Sequence, residues 1–103
     1  MPKRSEILDV VHETARDLHR AGAMDEVTLR EFDALCLPPV KDYSAREIKQ
    51  LRERCRVSQG VFAAYLNVGR NTVAQWEQGA KRPGNTSRKL LDLVDRKGID
   101  ALA

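Results

Sequence analysis

The most constraining feature of the sequence is the segment from Ser58 to Gly79. Ser58 has a side chain that caps helices, and the apolar residues after it recur at helical spacing as far as Leu66. Gly69 can supply a tight turn before a second helix, which runs to Gln78 and ends at Gly79. The segment therefore predicts two short helices joined by a tight turn.

The second of these helices has two distinct faces on a wheel of 100° per residue. Val73 and Trp76 fall on one side, beside Gly69. The opposite stripe consists of Asn71, Gln75 and Gln78, and it is flanked by Arg70, Thr72 and Ala74. A large aromatic ring on the apolar side is best buried, so we predict that Trp76 anchors the helix in the core and is not a stacking platform for bases.

The polar face of this helix suits double-stranded DNA. Asn and Gln can make paired hydrogen bonds to adenine, Arg can do so to guanine, and the major groove admits one helix. An ordinary amphipathic helix also has a polar face, so the wheel alone leaves both interpretations open. The order of a capped helix, a turn of three or four residues and a second short helix favours a helix-turn-helix.

The N-terminal part of the chain predicts two more helices. Between Ser5 and about Ala21, apolar residues recur at intervals of three or four: Ile7, Val11, Ala15 and Leu18. We expect Ser5 to cap this helix and Gly22 to end it. Thr28 and Glu31 have capping-box spacing, which predicts a short helix that starts at Thr28. Its inward residues would be Leu29, Phe32 and Leu35.

A connector and two further helices complete the predicted elements. Pro38 and Pro39 forbid helix continuation, so residues 36–43 form an extended connector. A second capping box, Ser44 to Glu47, starts a helix whose inner face carries Ile48, Leu51 and Cys55. After a loop at 80–85, a last helix runs from about Thr86 to Lys97 with Leu90, Leu91 and Val94 inward. Gly98 stops it, and the apolar tail 99–102 is expected to pack at an interface.

Composition limits the class of protein. The 103 residues, 42% hydrophobic and 32% charged, suit one globular domain with an appended arm. No apolar run spans a bilayer and no signal peptide is evident, so we expect a cytoplasmic protein with two reduced cysteines. Residues 1–43 hold 6 Lys or Arg and 9 Asp or Glu, a net charge of −3, whereas residues 44–103 hold 12 and 6, a net charge of +6. The basic part suits a polyanion, and the acidic arm suits a basic partner.

Residues 44–97 resemble the Xre/Cro family of phage-repressor-like DNA-binding proteins. The resemblance rests on six short matches: Ser58-Gln59, Phe62-Ala63, Leu66-Asn67-Val68, Thr72-Val73, Trp76-Glu77-Gln78-Gly79 and Lys81-Arg82-Pro83. It departs from the family at Gly69, where many members have Ser or Thr. The fold it implies is all-α: a five-helix helix-turn-helix domain at 44–103, preceded by a short helical arm at 1–43.

The resemblance also implies a role for each matching residue. Bases would be contacted by Arg70, Asn71, Gln75 and Thr72. The DNA backbone would be contacted, and the domain positioned on it, by Ser58, Gln59, Lys81 and Arg82. Structural roles would fall to Trp76, Val73 and an ion pair between Arg52 and Glu77. The partner would be a palindromic DNA operator, bound by a homodimer.

Catalysis is not expected. His12 and His19 lie almost two turns apart on one predicted helix, which is a poor chelate, and no HExxH motif is present. The sequence has no nucleophile arrangement and no Gly-rich phosphate loop, so His12 is interpreted as a plain surface residue. We expect no enzyme activity, no metal and no cofactor.

The arm carries a second resemblance. The run from Leu29 to Leu35, followed by Leu37-Pro38-Pro39-Val40 and the helix-turn-helix, is similar to HigA-type antitoxins of type II toxin–antitoxin operons. This resemblance implies a repressor that autoregulates its promoter and neutralises a RelE/HigB-like ribonuclease. Two other interpretations stay open: a plain Xre-family regulator whose arm serves only dimerisation, and a protein-interaction module that does not bind DNA.

Overall fold

The computed structural model describes residues 3–103. This range contains six α-helices, one 3₁₀ helix and no strand, which confirms the predicted all-α fold. The elements are α1 (Arg4–Arg20), α2 (Glu26–Leu35), α3 (Ala45–Arg54), α4 (Gln59–Leu66), α5 (Arg70–Glu77), α6 (Asn85–Lys97) and the 3₁₀ helix (Ile99–Leu102). They fall into two compact units that meet in the sequence between Pro39 and Val40. None of the helices in residues 3–103 is long and apolar enough to cross a membrane.

The N-terminal unit consists of α1 packed against α2, with Ala15 and Leu29 buried. Gly22 ends α1 in the left-handed region, at φ +78°, as its sequence position predicts. Leu35 was expected to face inward, but its side chain is exposed. Leu35 lies six residues after the buried Leu29, which places it about 120° away from Leu29 around the helix.

Two predicted helix starts in this unit are wrong. Helix α1 begins after Lys3, whose backbone N–H donates to the Glu6 carboxylate at 3.2 Å, so Ser5 lies inside the helix. Helix α2 begins after Asp25, whose carboxylate accepts the Thr28 N–H at 2.7 Å. A charged oxygen three residues before Thr28 caps the helix one turn earlier and makes Thr28 part of it.

The C-terminal unit has five helical segments, which are α3 to α6 and the 3₁₀ helix. Its core is formed by ten buried side chains: Tyr43, Ile48, Leu51, Phe62, Ala63, Leu66, Val73, Trp76, Leu91 and Val94. Both predicted caps at Ser44 and Ser58 are present, with hydrogen bonds from the N–H groups of Glu47 and Val61. Ile99 and Leu102 of the apolar tail pack against this same core, so the tail covers its own unit.

Candidate nucleic-acid interface

The turn between α4 and α5 fixes how the two helices meet. Asn67 ends α4 in the left-handed region, at φ +57°, which an asparagine side chain tolerates better than most. The Val68 N–H then donates to the Ala63 carbonyl at 3.0 Å, which closes the end of the helix. Gly69 follows as the N-cap residue of α5, with φ −73°. The turn between the two helices therefore consists of residues 67–69.

Helix α5 is held down by its apolar side. Val73 is fully buried, and Trp76 is 4% exposed within the core of the C-terminal unit. Both α3 and α4 pack against α5, so this face is covered from two directions. Trp76 is therefore unavailable to stack on a base.

The opposite side of α5 faces solvent. Arg70, Asn71 and Gln78 are exposed, whereas Thr72 and Gln75 are half-buried on its flanks. A methyl group at Gly60 would lie 3.8 Å from Cδ of Arg70, so the Arg70 stem runs beside the first turn of α4.

Arg52 and Glu77 form the ion pair that the sequence suggested. Nε and one terminal nitrogen of Arg52 donate to the two Glu77 oxygens, at 2.7 and 2.9 Å. The other terminal nitrogen donates to the Val57 carbonyl at 3.1 Å, and the Gln59 amide donates to Glu77 at 3.3 Å. The side chains are 15% and 5% exposed, so this network ties α3, α4 and α5 together out of the solvent.

The network also sets the charge of the outer face. Burial alone would raise the pKa of the Glu77 carboxyl, but hydrogen bonds from Arg52 and Gln59 overcome this and lower it. The carboxylate is therefore ionised and neutralised internally. Since Glu77 is the only acidic residue in α5, a polyanion that approaches this helix meets no free carboxylate.

The loop after α5 supplies positive charge. Lys81 and Arg82 are exposed there, and the buried ring of Pro83 fixes the loop on the core. These residues line an open groove of about 620 Å³, together with Asn85 and Arg88. Arg88 donates hydrogen bonds to the side chains of Asp42 and Asn85. Its charge is therefore partly neutralised by Asp42 within the unit.

The predicted backbone-contacting residues on α4 already have internal partners. The Ser58 hydroxyl oxygen accepts the Val61 N–H at 3.2 Å, and the Gln59 amide nitrogen bonds Glu77. Both residues lie at the first turn of α4, next to the Arg70 stem that passes Gly60. The Arg70 stem thus links the first turn of α4, where Val61 is also exposed, to the outer face of α5.

Sequence reasoning missed a polar cluster at the start of the C-terminal unit. The Tyr43 hydroxyl donates to Asp95 at 3.0 Å, while Arg54 donates to the other oxygen of Asp95 at 2.6 Å. Lys41 lies 4.8 Å from the centre of the Tyr43 ring and bonds Glu47 at 2.7 Å. Burial, followed by the hydrogen bond to Asp95, raises the pKa of Tyr43 well above its ordinary value.

A signal for the burial of Tyr43 was present in the sequence. Tyr43 directly precedes the cap Ser44, and Ile48 lies four positions into α3. An apolar pair at these two places is a hydrophobic staple, and both residues belong to the core. The hydrogen-bond partner Asp95, by contrast, is 52 positions away, so the sequence around Tyr43 contains no signal for it.

His12 was expected to be a plain surface residue, and this is wrong. It is half-buried, and its Nε2 bonds the Asp33 carboxylate of α2, while Arg16 bonds its Nδ1 at 3.2 Å. The hydrogen bond from His12 lowers the pKa of Asp33. Within residues 3–103, no group of three or more His, Cys, Asp or Glu side chains is arranged to hold a metal ion.

Comparison with known proteins agrees with this geometry. A protein-family model described as a helix-turn-helix domain matches residues 45–101. The chain is also 42% identical over 53 residues to antitoxin HigA-2 of Vibrio cholerae serotype O1, an alignment that covers 52% of this chain and 51% of that antitoxin. The chain thus spans about half the length of this relative. Because the family match covers more than half of the 103 residues, from α3 to the 3₁₀ helix, the chain belongs to the helix-turn-helix domain family.

Proposed function

We propose that this protein is a sequence-specific transcriptional repressor that binds a palindromic operator as a homodimer. The observation that carries the proposal is the outer face of α5, where Arg70 and Asn71 are exposed on a helix anchored by Val73 and Trp76. In a helix-turn-helix, the second helix lies in the major groove with its first residues on base edges. Arg70 and Asn71 are the first two residues of α5.

The remaining residues divide by the chemistry they offer. Gln75 lies one turn after Asn71 and extends the base-contacting face, with Thr72 on its flank. The phosphates on either side of the DNA major groove are contacted by Lys81, Arg82, Ser58 and Gln59. Arginine and lysine neutralise phosphate charge without reading sequence, which makes their contribution similar for all duplexes.

A neutralising role extends this proposal. The protein is the antitoxin of a type II toxin–antitoxin operon, represses its own promoter and neutralises a RelE/HigB-like ribonuclease. Two observations support this: the similarity to antitoxin HigA-2, and the net charge of −3 on residues 1–43, which suits a basic ribonuclease surface. The alternative is a plain Xre-family regulator whose arm serves only dimerisation, and the exposed apolar residues of α1 favour it.

Selection of duplex DNA by the purified protein, followed by binding measurements on variants, tests the DNA-binding proposal. We expect Arg70→Ala to lose about 1–3 kcal/mol of discrimination at one base pair. Arg82→Ala should weaken binding to all sequences alike. If Arg70→Ala keeps the full sequence preference, the base-contact assignment is wrong, and if no duplex is selected at low salt, DNA binding itself is refuted.

Co-expression tests the antitoxin role separately. The full chain is expressed with a small basic ribonuclease encoded beside its gene, and growth is measured. We expect the wild type to rescue growth, and the double variant Arg70→Ala/Asn71→Ala to rescue it equally well, because neutralisation does not need the DNA-reading face. A ribonuclease that neither binds the chain nor is inhibited by it would leave the plain regulator.

A further inference from the structure

A carboxylate lies among the cations of the groove that follows α5. Asp42 lines this groove together with Lys81, Arg82 and Arg88. One terminal nitrogen of Arg88 donates to the Asp42 carboxylate and the other donates to the Asn85 side-chain oxygen, each at 2.5 Å. Asp42 therefore supplies the negative charge that Arg88 faces in the free protein.

The other carboxylate that lines the groove is engaged at the start of α3. Glu47 accepts hydrogen bonds from Lys41 at 2.7 Å and from the Ser44 backbone N–H at 3.1 Å. It belongs to the capping box of α3, whereas Asp42 has Arg88 as its partner. A substitution at Asp42 thus changes the charge beside Arg88 and leaves the cap of α3 in place.

The ion pair between Asp42 and Arg88 is open to water. The Asp42 side chain is 83% exposed and that of Arg88 is 27% exposed. Such a pair is weak, because water and salt screen it and both side chains lose freedom. A DNA duplex presents one phosphate charge per about 1.7 Å of its axis, and an arginine can bond a phosphate through two N–H groups. A phosphate that reaches the groove can therefore replace Asp42 as the partner of Arg88.

The position of the groove brings Arg88 close to the DNA backbone in the proposed complex. Trp76 and Gly79, at the end of α5, line the groove beside Lys81 and Arg82. The proposed function places Lys81 and Arg82 on phosphates. Because Arg88 lines the same groove, it lies beside the same stretch of backbone.

We propose that Arg88 is a further phosphate-binding residue of this protein and that Asp42 competes with DNA for it. In the free protein Arg88 is bound to Asp42, and in the complex it exchanges this carboxylate for a phosphate. Asp42 then remains as an unpaired negative charge close to the DNA, so it lowers the affinity for every duplex alike. The exchange rests on the proposed function, of which it requires only that the protein binds duplex DNA.

Binding to a duplex of random sequence, measured by fluorescence anisotropy at several salt concentrations, tests the role of Arg88. We expect Arg88→Ala to weaken binding about five- to tenfold and to reduce the slope of log affinity against log salt by about 0.9 for each copy bound, since one phosphate contact is lost. Lys97→Ala is the matched control, because Lys97 is exposed at the opposite end of α6 and should leave the slope unchanged. A wild-type slope for Arg88→Ala overturns the proposal.

A double-mutant cycle tests the competition. Asp42→Asn should raise the affinity about three- to tenfold at low salt, because Arg88 no longer has to leave an ion pair and one negative charge is removed. In the Arg88→Ala background the same change should raise the affinity about twofold or less, which is the part due to long-range charge alone. Equal gains in the two backgrounds would show that Asp42 does not act through Arg88. Helicity measured by circular dichroism should match wild type in every variant.

Selection of DNA sequences distinguishes a failure at Arg88 from a failure of the proposed function. A protein that shows both expected effects on random duplex but selects no operator supports the competition for Arg88 and refutes the sequence-specific repressor. A protein that selects an operator while Arg88→Ala keeps the wild-type affinity and slope supports the repressor and refutes the role of Arg88. Failure of the wild type to bind any duplex at low salt refutes both.

Discussion

Glu77 is the residue on which the position of α5 in the fold most depends. It sits directly after Trp76, with its side chain 5% exposed, and its two oxygens are bonded by Arg52 and Gln59. A buried carboxylate is tolerable only while such partners remain, because the cost of removing it from water is several kcal/mol. The same contacts that neutralise Glu77 also join α5 to α3 and α4.

Arg52→Ala should therefore destabilise the protein strongly. The change leaves Glu77 buried with only the weaker bond from Gln59 and frees the Val57 carbonyl, so we expect a loss of about 3 kcal/mol in the free energy of unfolding. Urea denaturation followed by circular dichroism measures this loss.

Two further variants make the Arg52 result specific. Arg46→Ala, an exposed arginine on the same helix, should change the free energy of unfolding by less than about 0.5 kcal/mol. Arg52→Ala combined with Glu77→Leu should recover part of the loss, since no buried charge remains. Equal losses for Arg46→Ala and Arg52→Ala would show that the pair contributes nothing particular.

Single-residue predictions from the sequence succeeded where the cause was local. Trp76 was assigned to the core because helical spacing alone aligns it with Val73. The contact between His12 and Asp33 was missed, because it depends on how α1 and α2 pack and joins residues 21 positions apart. The bond from Tyr43 to Asp95 was missed for the same reason.

At the scale of elements, α5 is the least well capped helix of the helix-turn-helix. Ser58 caps α4 with its hydroxyl oxygen, but Gly69 has no side chain to cap α5. Its backbone is in the extended region at φ −73°, and a Cβ there would lie 3.7 Å from the Thr72 hydroxyl, an ordinary contact. A serine therefore fits this position without strain.

Gly69→Ser should stabilise the protein by about 0.5 kcal/mol, through a new cap on α5 and a less flexible unfolded chain. Thermal unfolding should show a rise in Tm of a few degrees. Gly79→Ser is the matched control at the other end of α5, where φ is +76° and a side chain is strained, so a loss of about 1 kcal/mol is expected. A fall in Tm for Gly69→Ser would contradict this account of the cap.

Helix starts were predicted correctly at Ser44 and Ser58, which both cap their helices as expected. Ser58 has no competing acceptor just before it, and Ser44 caps α3 although Asp42 lies two residues earlier. At Thr28 the local pattern was equally good, but Asp25 offered an earlier acceptor and α2 begins there. A capping motif thus indicates that a helix starts nearby, while the choice among neighbouring caps depends on which one adds a stable turn.

At the scale of the whole molecule, several carboxylates are more acidic when folded than in a free chain. The ion pair with Lys41, together with the Ser44 cap, lowers the pKa of Glu47 from its ordinary 4.5 to about 2. Hydrogen bonds from Thr28, His12 and Arg54 lower the pKa values of Asp25, Asp33 and Asp95. These groups lie in both units, so a fall in pH is expected to destabilise both.

The free energy of unfolding should therefore fall as the pH drops from about 4.5 towards 2. In this window the unfolded chain takes up protons that the folded chain does not, which makes stability rise with pH. The contribution of Glu47 is complete above its ordinary pKa of 4.5 and is lost as the pH falls through its folded value of about 2. Urea denaturation at a series of pH values measures the slope.

Glu47→Gln provides the comparison for this pH dependence. The variant should be less stable than wild type at pH 7 and should lose less stability between pH 4.5 and 2, because its side chain does not titrate. Glu53→Gln, at an exposed position on the same helix, should keep a slope close to that of wild type. Identical slopes for Glu47→Gln and wild type would show that the ion pair with Lys41 does not form in solution.

In α5 the residues that hold the helix in the fold are different from the exposed residues, and this separation is useful for protein engineering. The side chains that hold the helix in the fold are Val73, Trp76 and Glu77, whereas Arg70 and Asn71 are exposed. Exposed helix positions accept substitution at little thermodynamic cost. A library randomised at residues 70 and 71 should therefore consist mostly of folded proteins. Under the proposed function, proteins with new operator preferences can be selected from it without redesigning the scaffold.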